Sequence, residues 1–185
     1  MDELKYFGGR TEDIIYDAEQ YTEEDVCKKL VAELMGKRLK IACAESLTGG
    51  LIAEKITSVP GASGVFECGI CSYSNRIKHE LLGVSRETLE KYTEYSAYTA
   101  AEMVQGLKQL SGADICVSAT GIAGPGGGSD EKPVGLVYIG ILKGDSLRVL
   151  KLTPAGTAPD RETVREIAAC TALKYALLSL NKNQC

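Results

Sequence analysis

A serine, a lysine and a tyrosine carry the chemistry that this sequence makes available. Ser46 lies in the run Ala44-Glu45-Ser46-Leu47-Thr48-Gly49-Gly50. The apolar stretch 39–43 before it reads as a buried strand, and the stretch 51–56 after it reads as a helix. Between strand and helix, unpaired backbone N–H groups and the helix dipole converge, where they can hold an anion or a developing oxyanion. The Ser46 hydroxyl is therefore either a helix cap or a nucleophile. As a nucleophile it needs a base. The only histidine is His79, expected on a solvated helix face, so a serine–histidine triad has little to draw on. A lysine can serve instead when burial or a nearby cation lowers its pKa. Lys78 closes the segment Tyr73-Ser74-Asn75-Arg76-Ile77-Lys78, at the end of one expected strand and the start of a helix. Tyr73 and Lys78 can then face the same mouth of the sheet. The competing reading is a rim tyrosine and a surface lysine.

Two further segments could bind rather than react. Thr120-Gly121-Ile122-Ala123-Gly124-Pro125-Gly126-Gly127-Gly128-Ser129 directly follows the apolar run 113–119. Glycines there expose N–H groups at the carboxyl end of a strand, where open α/β sheets take ligands and where N–H nests hold phosphate. The loop matches neither a Walker A sequence nor G-x-G-x-x-G, so a nucleoside triphosphate or dinucleotide has no motif behind it. A flexible surface turn is the alternative. Asp160-Arg161-Glu162-Thr163-Val164-Arg165 opens the last expected helix. Arg161 could clamp a phosphate or carboxylate bidentately, or simply be an exposed arginine beside a capping Asp.

These groups have to be positioned by a regular frame. Strands are expected at 39–44, 64–73, 113–119, 134–142 and 147–152, and helices at 49–57, 74–82, 96–110 and 160–180. A further helix starts at Thr22-Glu23-Glu24-Asp25, shows Val26, Leu30, Val31 and Leu34 on one face, and ends near Gly36. The alternation predicts an α/β domain with a largely parallel central sheet. The strands at 134–142 and 147–152, joined by Lys143-Gly144-Asp145, predict one antiparallel hairpin. Residues 1–22 are polar and read as an irregular arm or linker stub, with the domain at 23–185.

Composition closes several doors. A chain of 185 residues, 44% hydrophobic and 25% charged, suits one soluble domain with a sizeable core. No apolar run approaches the roughly 20 residues of a membrane span, and 1–5 lack a signal peptide's apolar region. A net charge of −4 argues against a nucleic-acid surface. Seven cysteines, an odd number, predict free thiols in a reducing cytoplasm. Cys68 and Cys71 form a C-x-x-C inside an expected strand, without a second pair, so neither a metal nor a redox site is expected.

The motifs A-E-S-x-T-G-G, P-G-A-S, Y-S-N-x-x-K, L-L-G-V, T-G-I-A-G-P-G-G and K-P-V-G, in this order and spacing, resemble the CinA C-terminal domain family of nicotinamide-nucleotide amidases, related to competence/damage-inducible protein. The likeness runs from about residue 24 to 180. It implies a three-layer α/β/α sandwich, no metal or other cofactor, and hydrolysis of nicotinamide mononucleotide to nicotinate mononucleotide and ammonia in pyridine-nucleotide salvage. It places the family's nucleophilic serine on Ser46, its tyrosine and lysine on Tyr73 and Lys78, its substrate-binding arginine on Arg161 and its glycine-rich segment on 121–128. The expectation is that Ser46 attacks the carboxamide, Lys78 takes its proton and Tyr73 orients Lys78 or relays the proton. The N–H groups of Thr48, Gly49 and Gly50 would stabilise the oxyanion. Thr120, Gly121, Gly124, Gly126, Gly127 and Arg161 would hold the substrate, the phosphate above all. A cytoplasmic homo-oligomer acting on a small molecule, without nucleic acid or membrane, completes the expectation. The chain departs from the family's pattern at Leu47, where Cys is usual, at Thr93-Glu94-Tyr95-Ser96, where G-A-V-S is usual, and at Pro159, where Gly is usual. These departures bear on substrate preference and leave a non-catalytic pyridine-nucleotide binding module as the alternative.

Overall fold

The computed structural model describes residues 9–16, 26–157 and 159–181. Its elements run β1 (Arg10–Tyr16), α1 (Val26–Lys37), β2 (Ile41–Glu45), α2 (Leu51–Thr57), a 3-10 turn (Ala62–Gly64), β3 (Phe66–Cys71), α3 (Asn75–Leu82), α4 (Arg86–Tyr92), α5 (Ala97–Ser111), β4 (Ile115–Gly121), β5 (Val137–Lys143), β6 (Ser146–Pro154) and α6 (Arg161–Ser179). The strands form one six-stranded sheet in the order β1-β6-β5-β4-β2-β3. Parallel pairing joins β1 to β6 and β2 to both β3 and β4, while β5 runs against its neighbours β4 and β6. The β5–β6 pair is the expected hairpin, closed at Lys143↔Ser146.

Two apolar layers sandwich the sheet. One joins Leu30, Leu34, Ile41, Ile52, Ile139, Leu150 and Leu173, so that α1, α2 and α6 cover one face. The other joins Leu82, Val84, Met103, Val104, Leu107, Cys116 and Val149 beneath α3, α4 and α5. Strands β2 and β4 are buried on both faces, as an apolar run in a parallel sheet requires. Backbone contact sets the seam between α3 and α5: a Cβ on Gly106 of α5 would lie 1.8 Å from the Leu82 carbonyl oxygen at the end of α3. Only glycine fits there.

Two elements depart from the sequence reading. Residues 10–16, expected as part of an irregular arm, are a strand that lies along β6 from Arg10↔Arg148 to Tyr16↔Pro154. The mixed string Arg-Thr-Glu-Asp-Ile-Ile-Tyr carries no clean period of two: only Tyr16 is buried, and the strand it pairs with lies far away in sequence. Helix α4 also escaped the sequence reading. Its start was legible in Ser85, whose hydroxyl accepts the Thr88 N–H at 3.0 Å. The expected helix start at 22–25 lies outside the described residues.

The chain leaves β2 toward β3 on one side and returns through α3, α4 and α5 to β4 on the other. The order reverses between β2 and β4, and a crevice opens there at the carboxyl ends of the strands. Ser46 follows β2 and the glycine-rich loop follows β4.

Candidate active site

Ser46 is the first residue past β2, and its N–H is tied to the Ala119 carbonyl of β4 at 2.9 Å. The hydroxyl does not cap α2. The N-cap position is Gly50, at φ 103, with no side-chain cap. The first-turn amides belong instead to Glu45, a carboxylate 1% exposed. Its Oε2 accepts from Gly50 at 3.0 Å and Ile52 at 3.1 Å, and its Oε1 from Ala53 at 2.9 Å. An anion buried against a helix N-terminus satisfies orphan donors and the dipole together. From the other side Arg165 of α6 donates to the carbonyls of Leu47 at 3.2 Å and Thr48 at 2.8 Å. The serine loop is thus clamped by a carboxylate on its amides and a guanidinium on its carbonyls. Neither group was singled out in the sequence.

This clamp changes the expected oxyanion donors. The Gly50 N–H is spent on Glu45, and the Gly49 N–H on the Ser46 carbonyl at 3.2 Å. Among the described residues the amides of Leu47 and Thr48 are left without an intramolecular acceptor, and Leu47 borders the cleft.

Lys78 comes up from α3 to meet the serine. Ser74 caps that helix, accepting the Ile77 N–H at 3.3 Å, so Lys78 sits one turn in, on its buried face. The lysine is 1% exposed. Its Nζ donates to Ser46 Oγ at 2.9 Å and to the Ser72 carbonyl at 2.8 Å, with the Tyr73 carbonyl at 3.5 Å. Burial pushes its pKa down to about 8, and the Glu94 carboxylate pulls weakly the other way. An amine that loses its proton near neutral pH while touching a serine hydroxyl is a base with its nucleophile in place.

Tyr73 is 63% exposed, and its hydroxyl is hydrogen-bonded to Arg161. It accepts from Arg161 Nη2 at 3.1 Å, while Arg161 Nη1 donates to the Gly124 carbonyl at 2.7 Å. Asp160 caps α6 through the amides of Glu162 and Thr163 and thereby sets where Arg161 starts. These bonds close the ring of a cleft of about 490 Å³, counting space open to solvent, between Ser46 and Lys78 at one end and Arg161 at the other. Gly121, Gly124 and Gly126 line it, together with Leu47, Tyr73, Glu94, Tyr95, Ile122 and Ala123. Thr48, Gly49, Gly50, Thr120 and Gly127 do not. The Thr120 hydroxyl is committed to the Glu94 carbonyl at 2.7 Å. A Cβ on Gly121 would meet the Leu136 carbonyl at 2.4 Å, so that position must be glycine; one on Gly124, at φ 83, would meet Val134 Cγ1 at 2.5 Å and force that side chain to shift.

The remaining sequence suspects stand apart. Cys68 is half-buried and Cys71 exposed at positions of opposite parity on β3, hence on opposite faces of the sheet, and cannot chelate together. His79 is half-buried and hydrogen-bonded, its Nδ1 2.8 Å from the Val84 carbonyl and its Nε2 accepting from Arg86. No helix among the described residues is long and apolar enough to cross a membrane.

With this geometry, residues 23–180 match the model of the CinA C-terminal domain. The chain belongs to that family. It is 46% identical over 161 residues to a competence-damage inducible protein of Thermoanaerobacter sp. (strain X514), covering 87% of this chain and 38% of the relative. A similarly named protein of Clostridium acetobutylicum (strain ATCC 824) is 47% identical over 156 residues, covering 84% and 36%. The chain thus spans little more than a third of the length of these curated relatives. Among solved structures it is similar to the competence/damage inducible protein CihA from Agrobacterium tumefaciens, with TM-score 0.78 and 34% identity over 88% of this chain and 100% of that one. A competence or damage-inducible protein from Enterobacter asburiae gives TM-score 0.80 at 29% identity, over 85% and 97%. Within this CinA domain the turn before α5 has Thr93 at φ 68. A threonine held there stores strain.

Proposed function

We propose that the chain hydrolyses the carboxamide of nicotinamide mononucleotide to nicotinate mononucleotide and ammonia. One observation carries the reading: a buried lysine with its pKa near 8 in direct contact with a serine hydroxyl, at the floor of a cleft rimmed by an arginine. Neutral Lys78 takes the Ser46 proton as Oγ attacks the amide carbon. The Leu47 N–H faces the developing oxyanion. The tetrahedral intermediate collapses as Lys78 returns the proton to the departing nitrogen, which leaves as ammonia. Water, deprotonated by the same amine, then releases the acid from the serine ester. The Ser72 and Tyr73 carbonyls hold the lysine in line, and the Tyr73 hydroxyl keeps Arg161 turned toward the cleft. Arg161, with the open amides of the glycine loop, holds the 5′-phosphate, and that remote grip positions the amide.

Ammonia release tests the reading. The mononucleotide should turn over, and Ser46→Ala should lose about a thousandfold or more while still melting cooperatively. Nicotinamide riboside should be at least about tenfold poorer, since charge-assisted bonds worth roughly 1.5–3 kcal/mol each are lost with the phosphate. No turnover of the mononucleotide, or near-normal turnover by Ser46→Ala, refutes the proposal.

A further inference from the structure

Among the described residues that line the cleft, Glu94 is the only acid, beside the cations Lys78 and Arg161. Its carboxylate forms no ion pair among the described residues. Asn75 Nδ2 donates to Oε2 at 3.3 Å, and burial together with the charge of Glu94 helps to hold the neighbouring Tyr95 phenol in its protonated form. The position is actively held. Thr93, immediately before it, is kept at φ 68. Lys132 Nζ donates to the Tyr92 carbonyl and to Thr93 Oγ1, both at 2.7 Å. The hydroxyls of Ser96 and Thr99 donate to the Thr93 carbonyl at 3.2 and 2.8 Å. Thr120 fixes the Glu94 carbonyl from β4 at 2.7 Å. A strained turn under this many restraints marks a placed side chain.

The placement does not help the base. A carboxylate in the field of Lys78 favours the charged amine, the form that cannot take a proton. Its benefit has to fall on another step. Lys78 touches the hydroxyl that attacks, so the reacting end of any substrate lies in the same field. That end is a neutral amide before reaction and a carboxylate after it. With Lys78 as the only charge at that end, its protonated form would hold the acid more tightly than the amide and slow the release of product. We propose that Glu94 is a product-rejecting carboxylate, which discriminates at the reacting end of the cleft against a carboxylate and in favour of the corresponding carboxamide. The proposal rests on the amidase reading. The pyridinium ring and phosphate are common to substrate and product and cancel in the comparison.

The test is Glu94→Gln, which keeps the shape and removes the charge. Calorimetry in the Ser46→Ala background gives dissociation constants for nicotinamide mononucleotide, nicotinate mononucleotide and ribose 5-phosphate without turnover. Removing a unit charge from the wall of the same cleft should move the acid-to-amide affinity ratio toward the acid by about tenfold, leaving ribose 5-phosphate within about twofold. Product inhibition of the Ser46 protein by nicotinate mononucleotide, read from initial rates, should tighten in parallel. An unchanged ratio, or equal shifts in all three ligands, overturns the proposal and leaves the amidase reading standing. If the unmodified protein binds neither mononucleotide, the amidase reading falls and this proposal with it.

Discussion

The two loops that meet at the cleft are built by opposite means. The serine loop after β2 is pinned by charged side chains, Glu45 on its amides and Arg165 on its carbonyls, both drawn from neighbouring elements. The glycine-rich loop after β4 is shaped by the absence of side chains, with Gly121 and Gly124 pressed against Leu136 and Val134. On the amidase reading the first fixes the atom that reacts, where a displacement of an ångström is costly in rate. The second clears space for a ligand and exposes amides to it. Disturbing the first loop should therefore cost turnover, and disturbing the second should cost binding.

The sharpest break is at the base that serves the serine loop. Lys78→Arg should reduce ammonia release by about a thousandfold, because guanidinium does not give up its proton at working pH. In the unmodified protein kcat should rise with pH through an ionisation near 8. The same group leaves a mark on stability. Its folded-state pKa is about 8 and its ordinary value 10.5, so between these the unfolded chain binds more protons. Stability should therefore climb as pH rises from about 8 to 10.5, and Lys78→Met should flatten the climb in denaturant titrations. An active arginine variant would reassign Lys78 to charge stabilisation.

A smaller loss is expected at Glu45→Gln. The amide cannot accept from three N–H donors as the carboxylate does. Turnover should fall about 10- to 100-fold with KM nearly unchanged, and unfolding should cost about 1–3 kcal/mol less. A rise in KM with kcat preserved would undo the contrast between the loops. Smallest is Gly124→Ala in the second loop. A Cβ at φ 83 against Val134 should raise KM several-fold and leave kcat within about twofold, measured on the mononucleotide.

The same contrast explains what the sequence disclosed. The strand before Ser46 and the glycines after β4 announce themselves by composition, and the capping serine before α3 places Lys78 by simple helical spacing. Glu45 and Arg165 are silent. Each is an ordinary charged residue in its own segment, and its role lies in donors and acceptors of the backbone, which no residue letter records. The Tyr73 hydroxyl was legible as a polar group at the mouth of the sheet, but its pairing with Arg161 spans 88 positions and belongs to the folded chain alone. β1 was missed for a related reason, since its pairing with β6 is settled by register across the whole chain.

The contact between Gly106 and the Leu82 carbonyl has a consequence for how this site can evolve. Helix α3 carries Lys78, and α5 follows the turn that carries Glu94. The interval between the cleft's base and its acid is therefore measured off by main chain against main chain, remote from either charge. Residues around the cleft are open to exchange one at a time, and each exchange retunes what is admitted. The interval itself has no such freedom: any side chain at position 106 would run into the Leu82 backbone and force the two helices apart. On the amidase reading, selectivity in this scaffold is editable, whereas the spacing between base and acid is inherited whole.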